Sequence, residues 1–213
     1  MDPCCHRKSK TNNRQTKNKE GKFVDINDYS INDATDPGST FKLISYMALL
    51  EDGFVDPKDS VDINWGRAQF YDRTMVDAGI PPKTKYTVQE CFERSSNVGI
   101  ATLVQKYYGK DPAKFIARVK QTMIEGRTGI ELAGESRGIF TNEENVSPLS
   151  LSNISFGQGV ATTGIQMLAS YAAFANGGYY VKPTILKVKS ESDIEKEKII
   201  KKSTAKWVLD DFD

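Results

Sequence analysis

The chain has 213 residues, with 38% apolar and 27% charged side chains and a net charge of +1. That is the composition of an ordinary globular protein of one large domain or two small ones. It gives no reason to expect nucleic-acid binding, no basic helix with interleaved aromatics occurs, and no run of about eighteen apolar residues encodes a membrane span.

The first twenty residues, "MDPCCHRKSKTNNRQTKNKE", are polar, basic and aperiodic. They read as a disordered leader over residues 1–21, the alternative being a tail for nucleic acid or anionic lipid. They lack the apolar stretch of a signal peptide. Order is expected from near Phe23. Pro37-Gly38 breaks the chain before Ser39, where a helix is predicted to run to about Asp52 and stop at Gly53. Residues 54–86, with Pro57, Pro81 and Pro82, read as an irregular excursion.

A second helix fits "SSNVGIATLVQKYYG", ending at Gly109. A third fits "DPAKFIARVKQTMIEG", with Asp111 as N-cap and Pro112 at the first helical position. Residues 127–150 are loop-rich. "TTGIQMLASYAAFANGG" is a fourth helix, opened by a Thr163/Gln166 capping box and closed by Asn176-Gly177-Gly178. "YYVKPTILKVK" alternates like a strand, and "SDIEKEKIIKKSTAKWVLDD" reads as a connector and a last helix. Helix therefore dominates, with little strand beside it. The cysteines Cys4, Cys5 and Cys91 show no C-x-x-C spacing, and an adjacent pair does not easily close a disulfide. They argue against a disulfide framework or a zinc site.

The segment from Ser39 to Leu50 carries one charge, Lys42, among apolar residues that cover nearly every helical face. A helix apolar all round is buried. A buried lysine is expensive unless it is paired or neutral, and the usual relief is a lowered pKa. Ser39 and Lys42 are three apart and share a face. Ser39 sits at a helix start, where backbone N–H groups and the dipole favour developing negative charge. A serine hydroxyl needs a base to become a nucleophile, and a desolvated lysine in reach is one. S-x-x-K at a helix start thus joins nucleophile, base and half of an oxyanion hole. The bland reading is a chance match with a lysine that snorkels to solvent. The single histidine, His6, lies in the leader, which argues against a Ser-His-Asp triad.

Ser39-Thr40-Phe41-Lys42 within "DPGSTFKL", "LLEDG" after it, and Ser95-Ser96-Asn97 within "SSNVG" resemble the transpeptidase domain of class B penicillin-binding proteins. That family carries S-x-x-K, then S-x-N, then K-T-G. "TGIELAGE" at 128–135, "FGQG" at 156–159, Thr163 with Gln166, and "FANGGYYVKP" at 174–183 add to the resemblance, which covers roughly residues 22 to 210 and is nearest the monofunctional, division-type subgroup. Taken alone, "SSN" is also a helix N-cap, "FGQG" and "NGG" are turns, and Cys91 is a buried thiol.

The resemblance implies an α+β penicillin-binding protein/serine β-lactamase-like fold. It also implies catalytic roles: Ser39 attacks the D-Ala-D-Ala carbonyl of a peptidoglycan stem peptide, and Lys42 takes its proton. Ser95 relays a proton to the leaving D-alanine, and Asn97 holds the substrate amide and the lysine. An amine from a second stem peptide then takes the acyl group, while β-lactams trap Ser39. No metal or organic cofactor is implied. The expected partners are stem peptides, β-lactams and cell-division proteins, and the expected place is the periplasmic face of the inner membrane, with the anchor outside this chain.

The match fails at K-T-G. The nearest strings, Lys83-Thr84-Lys85 and Arg127-Thr128-Gly129, lie in the wrong place. The motif is expected on a strand following the helix that Trp207 and Val208 begin, so residues 22–213 are expected to be a partial transpeptidase domain. It would be mainly the helical part, with little of the central antiparallel sheet. The apolar helix around Lys42 is then expected to lack much of its packing partner, leaving the isolated chain unstable and poorly active. Three other readings stay open: a penicillin-recognising sensor that only acylates; a serine β-lactamase, for which "TNEEN" at 141–145 offers glutamates; and a non-catalytic division scaffold.

Overall fold

The computed structural model describes residues 13–141 and 146–210. Strands β1 (Asn13–Lys17) and β2 (Phe23–Asp28) form an antiparallel ribbon. Its turn is tied by the Asn18 side chain, which accepts from the N–H groups of Glu20 and Lys22 at 3.0 Å each. Part of the expected leader is therefore a strand, held by backbone pairing that its polar sequence does not announce. Residues 1–12 of that leader lie outside the described residues. Helix α1 (Tyr29–Asn32) follows, capped by Asp28. A 3₁₀ turn over Gly38–Phe41 then runs straight into α2 (Lys42–Glu51).

The stretch from 54 to 86 is more ordered than expected. Strand β3 (Ser60–Asp62) pairs with β6 (Lys85–Thr87), and between them β4 (Arg67–Phe70) and β5 (Arg73–Val76) make a hairpin. Its prolines fall outside these strands, where they interrupt no ladder. Next come α3 (Val88–Glu93), α4 (Asn97–Tyr108) and α5 (Pro112–Lys120). Asp111 caps α5 as expected, but the helix stops six residues short of Gly126. Turn bonds at Gln121 to Met123, and a left-handed Met123, end it. Helix α6 (Pro148–Ile154) arises in a region read as loop, from the Ser147 cap and Pro148. Helix α7 (Gly164–Ala175) has the predicted capping box, with bonds of 2.8 and 3.3 Å between Thr163 and Gln166. Strands β7 (Tyr179–Val181) and β8 (Lys196–Lys198) pair, and α8 (Lys202–Asp210) ends the described chain.

The fold is α+β, with four two-stranded antiparallel ribbons and no larger sheet among the described residues. No helix among those residues is long and apolar enough to cross a membrane.

Helix α2 is the axis of the core. Every residue from Phe41 to Leu49 is buried. Its neighbours include α3, α4, α5 and α8. Each large apolar side chain that α2 buries is worth about 1.5–3 kcal/mol. The expectation that this helix lacks much of its packing partner is thus corrected, because the described helices already enclose it. At its C-terminal end Asp52 accepts from Tyr108 Oη (2.8 Å) and from the Arg118 guanidinium, and Lys114 Nζ stands 3.4 Å away. This cluster ties α2 to α4 and α5.

Candidate active site

Ser39 lies in the 3₁₀ turn rather than in α2 itself, and it is exposed. In 3₁₀ geometry residues i and i+3 eclipse one another, which keeps Ser39 and Lys42 on one side. The Ser39 carbonyl accepts from the Lys42 N–H. The turn rests on the "FGQG" loop: Gly38 N–H donates to Gly157 O at 3.1 Å. Gly157 has φ +81°, and a Cβ there would stand 2.3 Å from the Gly38 carbonyl oxygen. Only glycine fits so close an approach at that φ. From above, Tyr171 Oη on α7 donates to the Thr40 carbonyl, and Thr40 Oγ1 donates to Pro37 O at 2.7 Å.

Lys42 is 2% exposed, so it does not snorkel to solvent. Burial pushes its amine down to about 8, against a smaller upward pull from the Asp77 charge. A tenth or so of it is then neutral at pH 7, against about one part in several thousand for a free lysine. Its Nζ donates to Ser95 Oγ at 2.9 Å and to the Ser95 carbonyl. Through this amine the S-x-x-K and S-x-N segments, over fifty residues apart in sequence, are brought together.

Ser95 sits in the turn between α3 and α4 with φ +53°. The left-handed region costs a serine about 1–2 kcal/mol. The turn is held by Ser95 N–H to Phe92 O and Ser96 N–H to Cys91 O, both 2.9 Å. Ser96 is the N-cap of α4, accepting from Gly99 N–H at 2.8 Å. The capping reading of "SSN" thus falls on Ser96, while Ser95 carries the contact with Lys42. Asn97 is the first residue of α4, half-buried. The Lys42 bonds described above go to Ser95, and none to Asn97 is among them.

The other signals find places in the scaffold. Gln166, fully buried, donates through Nε2 to the carbonyls of Gly126 and Arg137, anchoring the loop before α6. Glu135 of "TGIELAGE" accepts from Thr128 N–H and Oγ1, both 2.6 Å, and from Gly129 N–H at 3.1 Å. The Thr128-Gly129 pair is therefore part of a turn. Lys83 pairs with Glu90 at 2.6 Å. Cys91 is fully buried, and burial with the charges of Asp77 and Glu90 pushes its thiol up to about 12, an inert group. Glutamates of "TNEEN", at 143 and 144, lie outside the described residues.

Sequence reasoning missed Asp77. Its Oδ2 accepts from Ser96 Oγ at 2.6 Å and its Oδ1 from Val98 N–H at 2.9 Å. No local pattern flags an aspartate whose partners lie nineteen and twenty-one residues on.

A buried lysine bonded to a serine of S-x-N thus follows, by one turn, an exposed serine in the 3₁₀ turn that leads into α2. The family described as "Penicillin binding protein transpeptidase domain" matches residues 5–213; the chain belongs to that family. It is 34% identical over 191 residues to stage V sporulation protein D of Bacillus subtilis (strain 168), covering 81% of this chain and 28% of that protein. It is 23% identical over 180 residues to the peptidoglycan D,D-transpeptidase FtsI of Escherichia coli (strain K12), covering 84% of this chain and 29% of that one. The apo transpeptidase domain of Burkholderia pseudomallei penicillin-binding protein 3 superposes with a TM-score of 0.80 at 19% identity, over 89% of this chain and 56% of that domain, a likeness of fold. The chain spans about a quarter of the length of the curated relatives it matches.

Proposed function

We propose that this chain carries the acylation site of a peptidoglycan D,D-transpeptidase of the division type, acting at the periplasmic face of the inner membrane on D-Ala-D-Ala stem peptides. The observation that carries the reading is the buried Lys42 amine, bonded to Ser95 Oγ and set one turn from Ser39. Ser39 Oγ attacks the penultimate D-alanine carbonyl while neutral Lys42 takes the hydroxyl proton. Charge on the resulting oxyanion develops at the N-terminal end of the 3₁₀ turn and α2, where the helix dipole favours it. The C–N bond breaks, and the departing amine receives a proton from the Lys42 ammonium through Ser95 Oγ. An acyl ester on Ser39 remains. A stem-peptide amine then attacks it, with the same groups working in reverse. β-Lactams would stop at the ester. Asn97, at the start of α4, is assigned to the substrate amide.

The 213 residues hold no Lys-Thr-Gly. That sequence would supply a carboxylate anchor and a second oxyanion donor, and the loss of one such donor typically slows turnover by about 10²–10³-fold. The 213-residue polypeptide by itself is therefore assigned slow turnover. Division proteins as partners fit the subgroup that the motifs resemble.

The test is acyl transfer from a D-Ala-D-Ala thioester analogue to an amine acceptor. The expected result is slow transfer that Ser39→Ala abolishes. Labelling by a fluorescent penicillin with no transfer at all would favour a sensor instead. Fast nitrocefin turnover would overturn both readings in favour of a β-lactamase.

A further inference from the structure

We propose that Asp77 is a positioning residue of this site: from the end of the β4–β5 hairpin, its carboxylate holds the Ser95–Asn97 turn so that Ser95 meets Lys42. The inference rests on the acyl-transfer reading above and adds a residue to it.

Asp77 divides its two oxygens between the two ends of the turn. Oδ2 takes the Ser96 hydroxyl at 2.6 Å, and Oδ1 takes the Val98 N–H at 2.9 Å. Ser96 and Val98 are both buried. The carboxylate thus adds its charge to the start of α4, where the dipole favours it. It also fixes the residue on each side of Asn97 and the one that follows Ser95. Ser95 is held in the left-handed region, from which both its hydroxyl and its carbonyl reach the lysine. A strained serine persists only when its surroundings over-determine it.

The hairpin is built to deliver this group. Asp77 N–H donates to Gly66 O at 2.8 Å, closing the hairpin's base. Gly66 has φ +71°, and a Cβ there would come within 2.9 Å of the Pro81 ring and 3.2 Å of Asp77 Cβ. Asn64 and Trp65 also have positive φ, and Asn64 Nδ2 braces Arg67 O at 2.9 Å. A left-handed Trp65 is costly, and it sits where the chain turns into the hairpin that carries Asp77.

Asp77 also acts on Lys42 through its charge, which raises the amine against the larger effect of burial. Other titratable groups around the pair stay neutral or are paired. Tyr46 and Cys91 are buried and pushed upward, Tyr46 well above its ordinary value and Cys91 to about 12. Glu90 is bound to Lys83, and Arg94 lies over the Tyr86 ring at 5.3 Å. Removing the charge alone therefore shifts the amine to lower pKa, while removing the side chain also frees the turn.

The experiment compares the chain with Asp77→Asn and Asp77→Ala. It reads fluorescent-penicillin acylation against pH, amide exchange at 95–99, and the thermal midpoint. Asp77→Ala is expected to lose about a hundredfold in acylation, the scale set by a misplaced reacting group, with faster exchange confined to 95–99. Asp77→Asn keeps one acceptor for the Val98 N–H and sets an NH2 group against Ser96 Oγ, which can accept from it. It is expected to recover most of the rate, with the rising limb of the pH profile moved to lower pH. Wild-type rate, pH profile and exchange in Asp77→Ala would overturn the proposal. An unlabelled parent chain would sink the acyl-transfer reading instead. The exchange at 95–99 would then still decide whether Asp77 holds the turn.

Discussion

At the scale of the residue, the proposed mechanism turns on Lys42. In that proposal only the neutral amine takes the Ser39 proton. With burial holding the amine near about 8, the acylation rate should climb with pH through the neutral range and level off above that value. Stopped-flow acylation over that range measures the limb, and a flat profile would show that another group is the base. Lys42→Arg keeps the charge and most of the volume but cannot give up its proton. It should lower acylation by about 10²–10⁴-fold, the usual weight of a positioned base. Much of this was legible in advance. An apolar run with one lysine implies burial, and burial implies a depressed pKa. Ser95 was legible through S-x-N. Asp77 was not, because its role consists of two contacts to residues far along the chain.

At the scale of the element, the "FGQG" loop is the structural underside of the turn that carries Ser39. Gly157→Ala puts a methyl where 2.3 Å separates it from the Gly38 carbonyl oxygen, at φ +81°. The turn must move. Acylation of Ser39 should fall by more than about tenfold, while circular dichroism keeps its helical signal. Unchanged acylation would mean that Gly38 and Gly157 are not in register as described. Helices with strong terminal signals were readable: Asp111-Pro112 and Thr163/Gln166 open α5 and α7 where expected. Helix α3 has an equally clear signal, Thr87 with Glu90, and both box bonds form. It was hidden because the prolines before it suggested one long loop. The predicted strand after Gly178 pairs over only three residues, since Pro183 lacks the N–H to continue the ladder.

At the scale of the whole molecule, one packed cluster surrounds α2, and Asp52 ties that helix to α4 and α5. Burial alone would push the Asp52 carboxyl up. Hydrogen bonds from Tyr108 and Arg118, with the charges of Arg118 and Lys114, instead hold it below the usual carboxylate range. A depressed carboxyl stabilises the fold fully above its unfolded value of about 3.9, and that stability is lost as pH falls through the lower folded value. Asp52→Asn should cost about 2 kcal/mol near neutrality, with the difference in thermal midpoint closing below about pH 4. A gap that stayed constant into acid would contradict the assignment. The predominance of helix and the strand after Gly178 followed from periodicity, whereas the ribbons formed by β3 to β6 did not, because residues 54–86 read as an irregular excursion. Strand β1 did not, because "NRQTK" carries no alternating pattern and owes its conformation to pairing with β2.

The most direct test of the whole account is peptide mapping by mass spectrometry after exposure to benzylpenicillin, for the chain and for Lys42→Arg. A penicilloyl ester on the Ser39 peptide is predicted in the first and should be nearly absent from the second. No adduct on Ser39, or an equal adduct in both proteins, would contradict it.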